Sequence, residues 1–577
     1  MAHTRIFDAL RRALRLAHGA NRLGIEPREL AEASIQRWRA SRRELLKAGL
    51  GAAALGALPL GLSRCAEDDT VPAAAPGVRI GIVGGGMAGL HCAYTLKKAG
   101  VTARVFEAST RSGGRMYSLR GKYPDAMVAE LGGELIDTPH VTMRGLAEEL
   151  GIQLDDLFVD EPAGYARDTF FVGGKVVPLP DLVISFTPVA AKMAEAVAAA
   201  EAKGADAEFE KLDNMNIVQW LDEVAKADGV IGPLLKEAYT GEYGLESEEQ
   251  SAFNLLYLID YETPDPFSIF GESDERYHTH LGNDTFPTKL AAALDGQIEL
   301  GMRLEAVKSS GSGAFTLTFD QSGTKVDETF DHVVFALPFT LLREVDLSGL
   351  ELPADKKQLI AELGYGTNAK IMTGYTTRTW REKQNASGAA ITDNGVQFLW
   401  DTSRGQEGAH GILTNFAGGK YGVHMGEGTE EERAQEIVPK VDEIFPGAKD
   451  AYMVGSTVRM HWPTHPHTKG SYACYKPGQW ATWGLEGERA GNLHFCGEHC
   501  SKDNQGFMEG AAETGGFAAA EILDDLGIKP AVKASALHVM APKLRFRGAS
   551  YPPSGGRRLT WLEHRRLVRA ATGRNRS

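Results

Sequence analysis

The run Val78-Arg79-Ile80-Gly81-Ile82-Val83-Gly84-Gly85-Gly86-Met87-Ala88-Gly89-Leu90-His91-Cys92-Ala93-Tyr94-Thr95-Leu96 passes from a strand pattern to a helix pattern through a glycine-rich hexad. Its first six residues are short, apolar and β-branched, as in a buried parallel strand. Gly84 permits a tight turn, Gly86 lets a pyrophosphate approach the backbone, and Gly89 lets helix and strand pack closely. Met87 and Ala88 belong to the same contact segment, where a helix N-terminus offers N–H groups and positive dipole to phosphates. A second strand is expected over 102–106, ending in Glu107, whose carboxylate can accept both hydroxyls of a ribose. A glycine fingerprint alone is weak. Strand before, helix after and acid at the end of the next strand together define a dinucleotide site.

The fingerprint does not separate NAD from FAD, but the following residues do. Glu107-Ala108-Ser109-Thr110-Arg111-Ser112-Gly113-Gly114-Arg115 resembles the E-A-x-x-x-x-G-G-R segment of FAD-binding oxidoreductases related to glutathione reductase and monoamine oxidase. There Gly114 lets the chain fold back over the pyrophosphate, and Arg115 can neutralise its charge. Ala129-Glu130-Leu131-Gly132-Gly133-Glu134-Leu135-Ile136-Asp137 resembles the E/D-L-G-G stretch that lies along the flavin ring in amine oxidases. Asn492-Leu493-His494-Phe495-Cys496-Gly497-Glu498 resembles the strand whose Gly-Glu pair contacts the ribityl–phosphate region. Gln505-Gly506-Phe507-Met508-Glu509-Gly510-Ala511 resembles the helix start that meets the pyrimidine edge of the flavin. Negative charge gathers on that edge on reduction, and a helix N-terminus there stabilises it. Leu304 matches a position whose backbone holds adenine.

Over 78–526 the chain thus resembles the flavin-dependent amine oxidase family. The resemblance implies an α/β fold: a Rossmann-like FAD-binding domain interrupted by a mixed-sheet and helical substrate domain. FAD-binding parts are expected at 76–155, 276–348 and 464–529, with substrate-domain parts at 156–275, read as helical, and 349–463. Lys370, in Gly366-Thr367-Asn368-Ala369-Lys370, matches the family lysine that holds a water at flavin N5 and assists reoxidation by O2. Trp462 and Gly470-Ser471-Tyr472-Ala473 resemble one wall of the active site, and Tyr472 and Phe507 match the two rings that sandwich the substrate amine. Ser471 stands where covalently flavinylated relatives carry cysteine, so FAD is expected to be non-covalent. Asp137 falls where polyamine oxidases carry a glutamate, and is expected either to orient a cationic substrate or to serve as a surface or capping acid.

The implied reaction converts an amine to an imine and then an aldehyde, with hydride passing to flavin N5 and O2 becoming hydrogen peroxide. An L-amino-acid oxidase, a dehydrogenase using another acceptor and a non-catalytic flavoprotein are the alternatives. An amino acid would call for an arginine clamp on its carboxylate, which no motif here supplies.

The chain has 577 residues, 66 of them glycine, and a net charge of −14 that disfavours nucleic acid as a partner. Ser41-Arg42-Arg43-Glu44-Leu45-Leu46-Lys47 resembles a twin-arginine translocation motif. The apolar run 48–62 is too short for a membrane span, and Ala73-Ala74-Ala75 offers a cleavage site. Residues 1–75 are therefore expected to be an export region engaging the twin-arginine machinery, delivering the chain across the cytoplasmic membrane. The basic tail 530–577 is expected to be disordered, and membrane contact is expected only through the signal or this tail. Five cysteines are too few for a disulfide framework, with Cys496 and Cys500 the one conceivable pair. His461, His465, His467, His494 and His499 lack convincing metal spacing, so no metal is expected.

Overall fold

The computed structural model describes residues 77–528, apart from 160, 161, 163, 203–205, 259–274 and 312. The export motif, Cys65 and the basic tail lie outside the described residues. Five parallel strands form the central sheet in the order Leu493–Phe495, His332–Phe335, Ile80–Val83, Arg104–Glu107 and Ile298–Leu300. Stretches of chain far apart in sequence thus share one sheet. The chain order reverses beside Ile80–Val83, and the carboxyl ends of strands at such a switch point are where an α/β sheet takes a ligand. The second strand begins at Arg104, two residues later than its apolar pattern predicts, and includes Glu107.

Helices Met87–Lys98 and Met508–Asp525 pack closely because both carry small residues at the contact: a Cβ on Gly515 would lie 2.2 Å from the carbonyl oxygen of Ala88. Met87, Ala88 and Met508 lie in one buried apolar cluster. A four-stranded sheet, Thr324–Phe330, Phe315–Gln321, Arg303–Ser309 and Asp346–Gly349, flanks this domain.

A seven-stranded mixed sheet covers the site, ordered Val458–His461, Ala369–Tyr375, Gly411–Ala417, Gln397–Asp401, Ala390–Thr392, Thr169–Val172 and Lys175–Val176. The last two strands fall within 156–275, where helices make up most of the described residues. Phe170, Phe171 and Val172 are continuously buried, a pattern that periodicity alone cannot tell from a buried helix. Strand alternation sorts the two faces. Ala369, Ile371, Leu399 and Leu413 pack towards helix Glu430–Ile444, whereas Phe398 and Phe416 face a core shared with helices Leu179–Glu201, Ile231–Tyr243 and Ala252–Leu258. Lys370 pairs in register with Phe416, which in turn pairs with Phe398. The pleat therefore directs the lysine to the inner face.

Candidate active site

The glycine turn is built for a ligand that approaches backbone. Gly84 has φ +110°, and a Cβ there would lie 2.5 Å from the Ala336 carbonyl oxygen; a Cβ on Gly89 would lie 2.0 Å from that of Gly84. Gly86 differs, since nothing lies within 4 Å of its Cβ position, so the cradle opens where a side chain would stand. No side chain caps the helix that starts at Met87, leaving its first N–H groups for a phosphate. Glu107 is buried and accepts from Gly85 N at 2.7 Å and Ser109 N at 2.8 Å, one bond per carboxylate oxygen. Each oxygen keeps capacity for a ribose hydroxyl.

Gly113 N donates to Gly85 O at 2.8 Å, so the segment after Ala108 folds back onto the fingerprint, and a Cβ on Gly114 would stand 3.3 Å from the Gly86 Cα. Met302 N donates to Glu107 O at 2.9 Å, which brings Leu304 beside the same loop. A register shift follows Leu304, releasing backbone from the strand ladder there. Arg115 reaches towards the C-terminal cofactor segments. Its Nη1 donates to Glu498 Oε1 at 2.9 Å and Ser471 O at 2.6 Å, and Glu498 Oε2 accepts from Gly506 N at 3.0 Å. Through Nη1 the guanidinium thus links three distant segments. Gly497, at φ +148°, opens that segment and is held by Thr514 Oγ1 at 3.0 Å.

Gly132 and Gly133 run between the two domains. Trp462 Cζ2 is 3.4 Å from the Cβ position of Gly132, and Met508 Sδ is 2.7 Å from that of Gly133. Trp462 is fully buried, and its Nε1 finds no acceptor among the described residues. The orphaned donor beside this close-packed glycine backbone fits a flat, polar-edged cofactor. Sequence reasoning missed Asn283, whose Nδ2 clamps this track through the carbonyls of Gly133 at 2.9 Å and Glu134 at 2.7 Å. Its signal was its place at the start of the 276–348 stretch expected to bind FAD. Glu509 was also missed as a cap: its two oxygens accept from Thr142 N and Met143 N, each at 2.8 Å, at the start of helix Val141–Glu149.

Lys370 Nζ donates to Glu130 O at 2.9 Å, Gly132 O at 3.0 Å and Glu134 Oε2 at 2.6 Å, with the Trp400 ring centroid 5.1 Å away. Tyr472 and Phe507 belong to the same buried cluster as Phe416 and Tyr239. The Tyr472 hydroxyl donates to the carbonyl of Glu242, and the Phe507 ring meets the His140 ring edge-on at 4.9 Å. Asp137 is placed by the structure as a brace. It is 2% exposed, its Oδ1 accepts from Glu275 N at 2.8 Å, and Oδ2 lies 3.4 Å from His140 Nε2. Its carboxylate thus fixes the loop behind Phe507.

The four described cysteines are free, Cys496 and Cys500 included. His332, His494 and Asp525 do come within 4.8 Å of one another, outside this site. His332 Nδ1 and His494 Nε2 are 3.2 Å apart with ring centroids at 5.5 Å. That is close to end-on, the geometry of a shared proton rather than of two lone pairs converging on an ion.

Glu513 anchors the loop leading into Phe507 by accepting from Ser501 Oγ and Asn504 Nδ2. Burial, with Glu509 and Asp503 adding repulsion, pushes its carboxyl up to about 8. The folded state then holds a proton that the unfolded state has lost, so stability falls as pH rises from about 4.5 towards 8, by up to about 1.4 kcal/mol per pH unit. Glu513→Gln is expected to melt higher than the parent at pH 8.5, with the difference shrinking by pH 5. A difference independent of pH would refute this assignment.

Residues 87–523 match the family model for flavin containing amine oxidoreductases, and the chain belongs to that family. It is an FAD-dependent oxidoreductase of the amine oxidase class, and Ser471 at the flavinylation position agrees with non-covalent cofactor. Its relatives include an L-amino-acid oxidase of Siganus canaliculatus, 25% identical over 76% of this chain and 84% of that one. An L-amino acid dehydrogenase of Synechocystis is 25% identical over 77% and 94%. The fold is similar to cyclohexylamine oxidase from Brevibacterium oxydans, with TM-score 0.67, 23% identity and coverage of 78% of this chain and 100% of that structure. The α/β architecture expected from the motifs is thereby borne out.

Proposed function

We propose that the chain oxidises a small primary or secondary amine to an imine, which hydrolyses to an aldehyde, and that O2 is a competent but slow acceptor of the electrons, giving hydrogen peroxide. FAD supplies the hydride acceptor when bound. Gly84, Gly86, Gly89, Glu107 and Gly114 would hold its nucleotide end; Gly132, Gly133, Gly497 and Met508 would border the rest. The observation that carries the reading is Tyr472 and Phe507 in one apolar cluster, on the face to which the sheet also directs Lys370. Such apolar surroundings exclude water and offer aromatic faces to an amine. The tether from the Tyr472 hydroxyl to Glu242 fixes one ring, while His140 backs the other.

Relatives named for L-amino acids support a second reading with the same chemistry and a different substrate. A peroxide-coupled screen of amines, diamines and L-amino acids with the yellow holoprotein separates the two. Tyr472→Leu is expected to weaken amine binding, read as anaerobic flavin bleaching, by about 2 kcal/mol, whereas Tyr472→Phe keeps the ring and loses less. Equal losses in the two variants would remove the aromatic cage from the account. We also propose that the 41–47 motif exports the chain already folded around its flavin. A twin-lysine variant retained in the cytoplasm is the expected result, and unchanged export would refute it.

A further inference from the structure

Lys370 is a buried cation with every donor occupied. An ammonium carries three N–H groups, and Nζ meets the carbonyls of Glu130 and Gly132 and the carboxylate of Glu134. Glu134 is gripped from its other side, Oε1 accepting from Trp400 Nε1 at 2.9 Å and Thr402 Oγ1 at 3.0 Å. The pair is sealed from solvent, with side-chain exposures of 0% for Lys370 and 7% for Glu134. Five hydrogen bonds, one of them within the pair, hold a cation and an anion together at the backbone track between Trp462 and Met508, so neither charge is free to serve another ion there.

We propose that Glu134 sets which oxidant collects the electrons, by cancelling the Lys370 charge and so slowing O2 relative to a quinone. The proposal rests on the amine-oxidising reading and concerns the second half of that cycle. O2 takes its first electron as superoxide anion; a second electron, one proton from the reduced cofactor and one from solvent complete hydrogen peroxide and leave the cofactor oxidised. A free cation stabilises the developing anion, and a paired one does so far less. A quinone of high potential takes the same two electrons and two protons and leaves as hydroquinone, with less need of a fixed cation. Glu134 acts through Lys370 and is a positioning residue.

The test uses holoprotein reduced anaerobically by light and EDTA, so no amine is required. Stopped-flow mixing with O2 or 1,4-benzoquinone at equal concentration follows return of the flavin absorbance. The parent is expected to react at least about tenfold faster with the quinone. Glu134→Gln is expected to react about tenfold faster with O2 than the parent, and Glu134→Asp to stay within about threefold of it. Sulfite titration of the oxidised protein gives a readout without turnover, because sulfite addition puts negative charge on the ring. Glu134→Gln should bind sulfite about tenfold tighter, whereas loss of a merely structural residue would weaken binding. Parent reoxidation as fast with O2 as with quinone overturns the proposal, as does unchanged or weaker sulfite binding in Glu134→Gln. If acceptor and sulfite results hold but no amine bleaches the flavin, the substrate reading fails and the role of Glu134 stands.

Discussion

Gly132→Ala is expected to emerge from purification colourless. The new Cβ would lie 1.8 Å from the carbonyl oxygen of Arg115 and 2.8 Å from its carbon. Both are backbone atoms, so no rotamer change relieves the clash. The same carbonyl accepts from Gly133 N at 3.0 Å, and moving it breaks the bond that holds the two segments together. Overpacking of this kind costs about 1–3 kcal/mol or more, and here the displaced backbone is the surface proposed to lie along the flavin. Gly145 supplies the control, since it sits in helix Val141–Glu149 with nothing within 4 Å of its Cβ position. Gly145→Ala should stay yellow and gain up to about 1 kcal/mol. The ratio of protein to flavin absorbance reads both variants, and a fully yellow Gly132→Ala would contradict the assigned backbone contact.

Lys370→Met is expected to be the most destabilising single charge removal. It strands the Glu134 carboxylate in a sealed site and leaves the Glu130 and Gly132 carbonyls without their donor. Breaking one side of a buried ion pair costs about 3–5 kcal/mol. Removing both charges is gentler, so Lys370→Met/Glu134→Gln should recover much of that loss, a coupling that a double-mutant cycle reads directly. Lys420, 86% exposed and 3.9 Å from Glu246, is the contrasting case, and Lys420→Met should cost under about 1 kcal/mol. Denaturant midpoints of the four proteins measure the cycle. Additive losses at Lys370 and Glu134 would show that the pair is not energetically coupled.

The amino-acid sequence determined the parts whose function is local backbone geometry. The turn at 84–89, Glu107 closing its strand, the fold-back at Gly113 and Gly114, and the helix start at Met508 are readable because each needs a particular residue type at fixed spacing. The strands at Ile80–Val83, Arg104–Glu107 and Leu493–Phe495 followed, since each adjoins one of those motifs. Thr169–Val172 was not readable as a strand, because a short buried run has the same pattern in either structure. Side-chain partners were not readable at all. Lys370 and Glu134 are 236 residues apart, and Arg115 and Glu498 are 383 apart. Asp137 could be read equally as a substrate acid or a capping acid, and its contacts with His140 and Glu275 N emerge only in the fold. Periodicity encodes φ, ψ and which face is apolar; which charge meets which is decided only when distant strands come into register, because the Coulomb and hydrogen-bond terms act through space and not along the chain.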